Sequence, residues 1–121
     1  MTEFTINREN WMTPDHPKWD GINHLVNDDG TMCCLGFFCN RVSRIPKEHL
    51  VYVPLPSDIG MPYDEKPSVV AVIKVEDDLS DINDSEKIDA KTREKKIAHF
   101  FKQINYKAKF IGKYKKKKNE E

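Results

Sequence analysis

The sequence of 121 residues contains no long apolar run and no targeting segment. Its most apolar stretch is VVAVI at residues 69–73, whereas a membrane-spanning helix needs about 20 residues. The first ten residues also lack the basic start and the apolar run of a signal peptide. We therefore expect a cytoplasmic protein that makes no contact with a membrane.

Motifs that carry well-known chemistry are missing as well. There is no glycine-rich phosphate loop, no serine-centred nucleophile turn and no recognisable pair of carboxylates. Residues 81–92 begin like a calcium loop, but an EF-hand needs glycine and glutamate where this chain has Glu86 and Thr92. We predict neither a metal nor a cofactor. Asn83 and Asp84 are instead expected to cap a turn or the following helix.

The formal net charge is zero, but the charges are segregated along the chain. Residues 1–85 carry 7 basic and 15 acidic side chains, a net charge of −8. Residues 86–121 carry 13 basic and 5 acidic side chains, a net charge of +8. Such a separation can pair the two parts within the fold or present opposite charges to different partners.

The length fits one domain, which we place at residues 1–112, with a flexible lysine-rich tail at 113–121. The prolines near the start predict an irregular beginning. Residues 50–53 favour a short strand, and residues 76–86 read as an acidic loop anchored by its two apolar side chains.

Hydrophobic periodicity predicts a small α+β fold. Helical spacing appears at 32–43 and at 90–104, where Asp89 is a good N-cap. Residues 68–75 are β-branched and almost continuously apolar, as in a buried strand, and residues 106–111 alternate as in a half-buried strand. We therefore expect a short sheet of these two strands, packed by the two helices.

All three cysteines fall in residues 28–39, DDGTMCCLGFFC. Cys33 and Cys34 are adjacent, and Cys39 lies on another helical face, so a disulfide within the segment has poor geometry. The spacing is not that of a zinc site either. The favoured interpretation is packing, because free cysteine is often a buried apolar residue and Gly36 would let another backbone approach the helix closely.

The alternative is a small cysteine-dependent hydrolase or transferase. Cys33 or Cys34 would be the nucleophile at a helix start, with His49 or His99 as the base. The packing interpretation instead places part of this segment in the core. The residues predicted to form that core are Cys34, Leu35, Gly36, Phe38, Val70, Val72, Ile97, Phe101 and Ile104.

The segments DDGTMCCLGFFCN, LPSDI and DINDSEKIDAKTREKKIAHFFKQINYKAKFI resemble a group of small phage and prophage proteins. Those proteins share a C-C-L-G motif, here at residues 33–36, an L-P segment, and a late N-D loop before an amphipathic helix and strand. The resemblance covers about two thirds of the chain. It implies a phage origin, and it carries over no catalytic residue.

The chain is therefore predicted to be a phage accessory protein that binds a host protein in the host cell cytoplasm, without catalysis, in host takeover or anti-defence. A second alternative to this function is weak nucleic-acid binding through the basic C-terminal third, because lysines neutralise phosphates. The candidate contacts, for a protein partner or for nucleic acid, are Lys107, Lys109, Lys113, Lys115, Lys116, Lys117 and Lys118. The sequence does not indicate an oligomeric state.

Overall fold

The computed structural model describes residues 1–115, and within them the chain forms two β-strands and four α-helices. In chain order these are β1 (Thr2–Asn7), α1 (Cys34–Arg41), α2 (Pro67–Ile73), α3 (Glu76–Asp84), α4 (Ala90–Gln103) and β2 (Tyr106–Ile111). Helices that pack on a small sheet confirm the α+β prediction. Among these helices, none has the length and apolar character needed to cross a membrane.

The sheet joins the two ends of the described chain. β1 pairs with β2 in parallel, with Thr2 opposite Tyr106 and Asn7 opposite Ile111. Parallel strands cannot be joined by a tight hairpin and need a crossover connection. Here all four helices lie within that crossover, so the sheet can form only when the whole chain has folded back on itself.

The core is built around three phenylalanine rings from three elements. Phe38 of α1 stacks on Phe101 of α4, with 5.3 Å between the ring centroids. Phe4 of β1 meets both rings edge-on, at 5.4 Å from Phe38 and 4.9 Å from Phe101. Edge-to-face contacts of this kind add about 0.5–1.5 kcal/mol to the burial of the rings.

Both predicted helices and the strand predicted at residues 106–111 are confirmed. α1 lies within residues 32–43, and β2 lies at residues 106–111. The Asp89 carboxylate accepts a hydrogen bond of 2.7 Å from the backbone N–H of Thr92, which makes it the N-cap of α4.

The strand predicted at residues 68–75 is wrong, because this segment forms α2. Pro67 occupies the first helical turn, where its fixed φ and missing N–H are tolerated. Val69 and Val72 are buried, whereas Val70 is 48% exposed, so its place in the predicted core is also wrong. Burial of one helical face outweighs the β propensity of the valines here.

The acidic loop predicted at residues 76–86 is wrong as well, since α3 occupies most of it. Its buried residues Glu76, Leu79 and Asn83 recur at helical spacing. The acidic residues of its first turn lie at the positive end of the helix dipole, where negative charge is favourable. The Glu76 carboxylate also accepts hydrogen bonds from the backbone N–H and hydroxyl of Ser57.

The predicted sheet has one wrong member. β2 pairs with β1, which was not predicted, and not with residues 68–75. The strand predicted at 50–53 is reduced to a single bridge between Val51 and Val26, after which the chain turns at Tyr52.

Candidate functional site

The three thiols are sealed inside the protein. Cys34 and Cys39 are completely buried and Cys33 is 7% exposed. All three are free, in agreement with the rejection of a disulfide. The Cys34 thiol donates a weak 3.8 Å hydrogen bond to the backbone oxygen of Leu79 on α3.

Burial raises the pKa of every cysteine. The pKa of Cys33 rises to about 12, and those of Cys34 and Cys39 also rise well above the ordinary value. The thiolate is the nucleophilic form of cysteine, and an apolar environment disfavours it. The environment of these thiols is therefore that of packing groups.

Both candidate bases lie at the surface, beside residues other than the cysteines. His49 is exposed and lies edge-on to Tyr63, with 5.5 Å between ring centroids. His99 is exposed, and its Nε2 lies 3.1 Å from the side-chain nitrogen of Gln103. Within residues 1–115 neither imidazole forms a hydrogen bond to a cysteine, so the geometry does not bring the predicted pairs together.

Gly36 lies where α1 meets another backbone, as the sequence predicts. A Cβ atom at this position would stand 1.7 Å from the backbone oxygen of Leu25 and 2.6 Å from its carbonyl carbon. The clash is with main chain, which cannot rotate away. A side chain of any size is therefore excluded from this position of the C-C-L-G motif.

Asn83 caps a helix that lies far away in the sequence. Its side-chain oxygen accepts hydrogen bonds from the backbone N–H of Cys34, at 3.0 Å, and from the indole of Trp11, at 2.7 Å. Its amide donates to the Met12 carbonyl at 2.9 Å. The prediction that Asn83 caps a local turn or the following helix is wrong, because Asn83 lies in α3 and its oxygen binds the first N–H of α1.

A buried arginine binds the carbonyl groups at the C-terminal end of α3. Arg93 is 1% exposed, and its guanidinium donates to the backbone oxygens of Ile82, Asn83, Ser85 and Ile88 at 2.8–3.1 Å. The last carbonyls of a helix lack partners within the helix, and a cation is favourable there. The polar groups that the sequence places near the N-D motif therefore hold helices together.

The other predicted core residues are mostly buried. Ile104 is partly buried and packs on the core. The residues with at most 1% of their surface exposed are Cys34, Leu35, Phe38, Val72, Ile97 and Phe101, and Gly36 is buried as well.

Four of the predicted lysine contacts lie within the described residues, and all four are exposed. Lys107 lies 3.3 Å from Glu3 across the sheet and forms an ion pair with it. Lys109, Lys113 and Lys115 are exposed. Tyr114 was predicted to belong to a flexible tail, but it is half-buried against the core. The remaining predicted contacts, Lys116, Lys117 and Lys118, lie outside the described residues.

An open cleft of about 410 Å³ lies beside Tyr52. Two large apolar side chains are exposed here, Ile22 at 64% and Tyr52 at 60%. We call this the Tyr52 cleft, and its lining residues are Met12, Lys18, Asp20, Ile22, His24, Asn27, Asp28, Asp29 and Tyr52.

Tyr52 has an unusual backbone conformation for an aromatic residue. Its φ is +66°, in the left-handed region that glycine and asparagine adopt most readily. Backbone hydrogen bonds on both sides hold it there, from Tyr52 N–H to the Val26 oxygen at 3.3 Å and from Leu25 N–H to the Val53 oxygen at 2.8 Å. The turn projects the ring outward, edge-on to His24 with 5.6 Å between the ring centroids.

The cleft is acidic. Asp20, Asp28 and Asp29 line it together with a single lysine, Lys18. Asp28, as a hydrogen-bond acceptor and as a negative charge, raises the pKa of the Tyr52 hydroxyl. The exposed apolar side chains thus lie within a rim of negative charge.

A chain of side-chain hydrogen bonds fixes the wall of the cleft to α3. The Asn27 oxygen accepts from the backbone N–H of His24 at 3.0 Å, and its amide donates to the Asn23 oxygen at 2.9 Å. The Asn23 amide donates in turn to the Asp84 carboxylate at 2.8 Å, which also accepts from buried Asn83. The cleft is therefore preformed.

Sequence reasoning missed this site. Ile22 and Tyr52 are residue types that usually lie in a core. Ile22 belongs to no predicted element, and Tyr52 falls in the strand predicted at residues 50–53. The aspartates read as turn formers, and nothing in a tyrosine indicates a positive φ. Across residues 1–115, no three histidine, cysteine, aspartate or glutamate side chains are grouped as a metal ion would require.

Comparison with protein-family models, with curated proteins and with solved structures finds no match to this chain. The resemblance to small phage proteins therefore stays a prediction. The function has to be argued from the geometry of the surface.

Proposed function

We propose that this chain acts without catalysis, by binding another protein in the Tyr52 cleft. The observation that carries the proposal is the exposed, conformationally strained Tyr52 beside exposed Ile22. A tyrosine in the left-handed region costs about 1–2 kcal/mol relative to an unstrained one. Because the Tyr52 ring is mostly exposed, its burial does little to compensate for this cost. Backbone outliers of this kind concentrate at functional sites.

The chemistry of the cleft suits a basic partner segment. Tyrosine is enriched among the residues that dominate binding energies at protein interfaces. A lysine or arginine side chain that enters the cleft would meet the Tyr52 ring as a cation–π partner and the carboxylates of Asp20 and Asp28 as counter-ions. The excess of negative charge in residues 1–85 would speed its approach.

The phage resemblance supports a more specific version of the proposal. In that version the chain is a phage accessory protein, and its partner is a host protein with an exposed basic segment in the cytoplasm of the infected cell. By occupying the basic segment, the chain would inhibit or redirect that host protein.

The test is affinity capture from bacterial host lysate with the wild-type chain and the variant Tyr52→Asn. Asparagine tolerates the same backbone conformation, so the turn is retained and only the ring is lost. We expect one stoichiometric partner with the wild type and at least about tenfold less with the variant, the loss typical of a binding hot spot.

Val70→Ala provides the matched control, because Val70 is an exposed apolar residue on α2 that does not line the cleft. It should capture the partner as the wild type does. Equal losses in both variants would indicate nonspecific apolar adsorption. Equal capture by the wild type and Tyr52→Asn would rule out the cleft as the binding site.

A further inference from the structure

A second groove carries charge of the opposite sign. It has a volume of about 770 Å³ and lies between the end of β1, the first turns of α4 and the chain that follows β2. We call it the lysine groove. Its charged and aromatic lining residues are Arg8, Lys91, Glu94, Lys95, Lys113 and Tyr114.

The one carboxylate that lines the lysine groove is already engaged. The Arg8 guanidinium donates to both oxygens of Glu94, at 2.9 and 2.8 Å, and the Tyr114 hydroxyl donates to the same carboxylate. Arg8 also donates to the backbone oxygen of Gly112 at 3.0 Å. Arg8 and Glu94 therefore neutralise each other. Together they form one wall of the groove, between the end of β1 and the chain after β2.

Three lysines are left to set the charge of the groove. Lys91 and Lys95 are four residues apart on α4 and thus project from one face of the helix, and Lys113 faces them from the chain after β2. All three are exposed, and within residues 1–115 none of them forms an ion pair. The groove thus presents three ammonium groups, two from α4 on one side and one from the chain after β2 on the other.

The ring of Tyr114 already has two partners within the protein. The Arg8 guanidinium lies 5.7 Å from the centre of that ring, and Trp11 lies 6.1 Å from it. The groove consequently offers charge for phosphates without an aromatic platform or a reader of base edges. Its volume is that of a small-molecule pocket, which suits a few nucleotides of one strand and not a duplex.

We propose that the lysine groove binds the phosphate backbone of single-stranded nucleic acid without reading its sequence. This binding is independent of the Tyr52 cleft. The lysines proposed to bind nucleic acid are therefore mostly different from those predicted from the sequence. Of the described lysines that the sequence suggests, only Lys113 lines the groove, whereas Lys91 and Lys95 come from α4.

The test is fluorescence anisotropy with a labelled 20-nucleotide oligothymidylate over a range of salt concentrations. Three phosphate contacts predict a slope of about −2 for the logarithm of the association constant against the logarithm of salt concentration. The triple variant Lys91→Gln, Lys95→Gln, Lys113→Gln should weaken binding at low salt by about tenfold or more and bring the slope towards zero.

Two further variants decide the interpretation. Replacement of Lys91, Lys95 and Lys113 by arginine keeps the charge and should retain both affinity and slope. Replacement of Lys47, Lys74 and Lys102 by glutamine changes the net charge equally at exposed positions outside the groove and should leave binding unchanged. Equal weakening by both glutamine triples, or no binding by the wild type at low salt, would overturn the proposal.

Discussion

The C-C-L-G segment and the Tyr52 cleft contrast in how they appear in the sequence and in the structure. The first, at residues 33–36, carries two adjacent thiols and looks reactive, yet it is buried at a helix–backbone contact. The second comes from loop residues without a recognisable motif, yet it exposes the ring of Tyr52, whose backbone is strained, in an acidic cleft. In this chain the most reactive residue types are therefore buried, and the exposed residue with an unusual backbone conformation comes from a loop.

The physical reason is that the two regions are stabilised in opposite ways. In the C-C-L-G segment every group has a packing or hydrogen-bonding role, from the Gly36 contact to the Asn83 cap on the Cys34 N–H. In the cleft, the polar groups of the wall are satisfied, but the exposed side chains of Ile22 and Tyr52 contribute little to folding. Substitutions should therefore affect stability in the first region and binding in the second.

The largest expected effect is that of Gly36→Ala. The new methyl group would clash with the main chain of Leu25, so α1 or the 25–26 segment must move, at a cost of about 3 kcal/mol or more in free energy of unfolding. Urea denaturation followed by circular dichroism measures this loss.

Gly21→Ala is the control for this prediction. Gly21 has φ +89° and open space around its absent side chain, so alanine there meets only backbone strain of about 1 kcal/mol. If both variants lose the same stability, the close approach of α1 to Leu25 is not what excludes a side chain at position 36.

The helix α4, the strand β2 and the packing role of the cysteines could be predicted, because their signals are local. α4 has a cap at Asp89 and a stripe through Ile97 and Phe101, and β2 alternates. The cysteines follow from composition and from the lack of a partner motif. In each case a few neighbouring residues determine the outcome.

The strand β1, the helix α2 and the Tyr52 cleft could not be predicted, because they depend on contacts between distant residues. β1 is a strand because β2, about one hundred residues later, pairs with it. The valines of α2 become helical because one face packs on the core. The cleft depends on a positive φ at Tyr52 that a pairing with the 25–26 segment imposes. A single sequence carries no local signal for such pairings.

An effect that grows with pH is expected from the thiols under alkaline conditions. In the unfolded chain they ionise near pH 8.5–9, whereas burial raises the pKa of Cys33 to about 12 and those of Cys34 and Cys39 well above the ordinary value. The folded state therefore binds more protons than the unfolded state above about pH 9. Stability is fully present below that pH and falls as pH rises, by about 1.4 kcal/mol per pH unit for each thiol.

Urea denaturation between pH 8 and 11 measures this slope. The variant Cys39→Ala removes one titrating thiol, while lysine and tyrosine titration is common to both proteins. It should therefore be less stable than the wild type at pH 8 but lose stability less steeply above pH 9. Identical slopes would mean that the thiol is accessible enough to ionise in the folded state.

The smallest expected effect on stability distinguishes the cleft from the C-C-L-G segment. Tyr52→Asn should leave the free energy of unfolding unchanged or raise it by up to about 1 kcal/mol, because asparagine relieves left-handed strain and the 60% exposed ring contributes little burial.

Arg44→Asn is the matched control, since Arg44 is exposed with φ +57° outside the cleft. Both variants should show similar stability in urea, but only Tyr52→Asn should lose partner binding. A loss of more than about 1 kcal/mol in Tyr52→Asn alone would mean that the ring serves the fold, and the contrast between the two regions would fail.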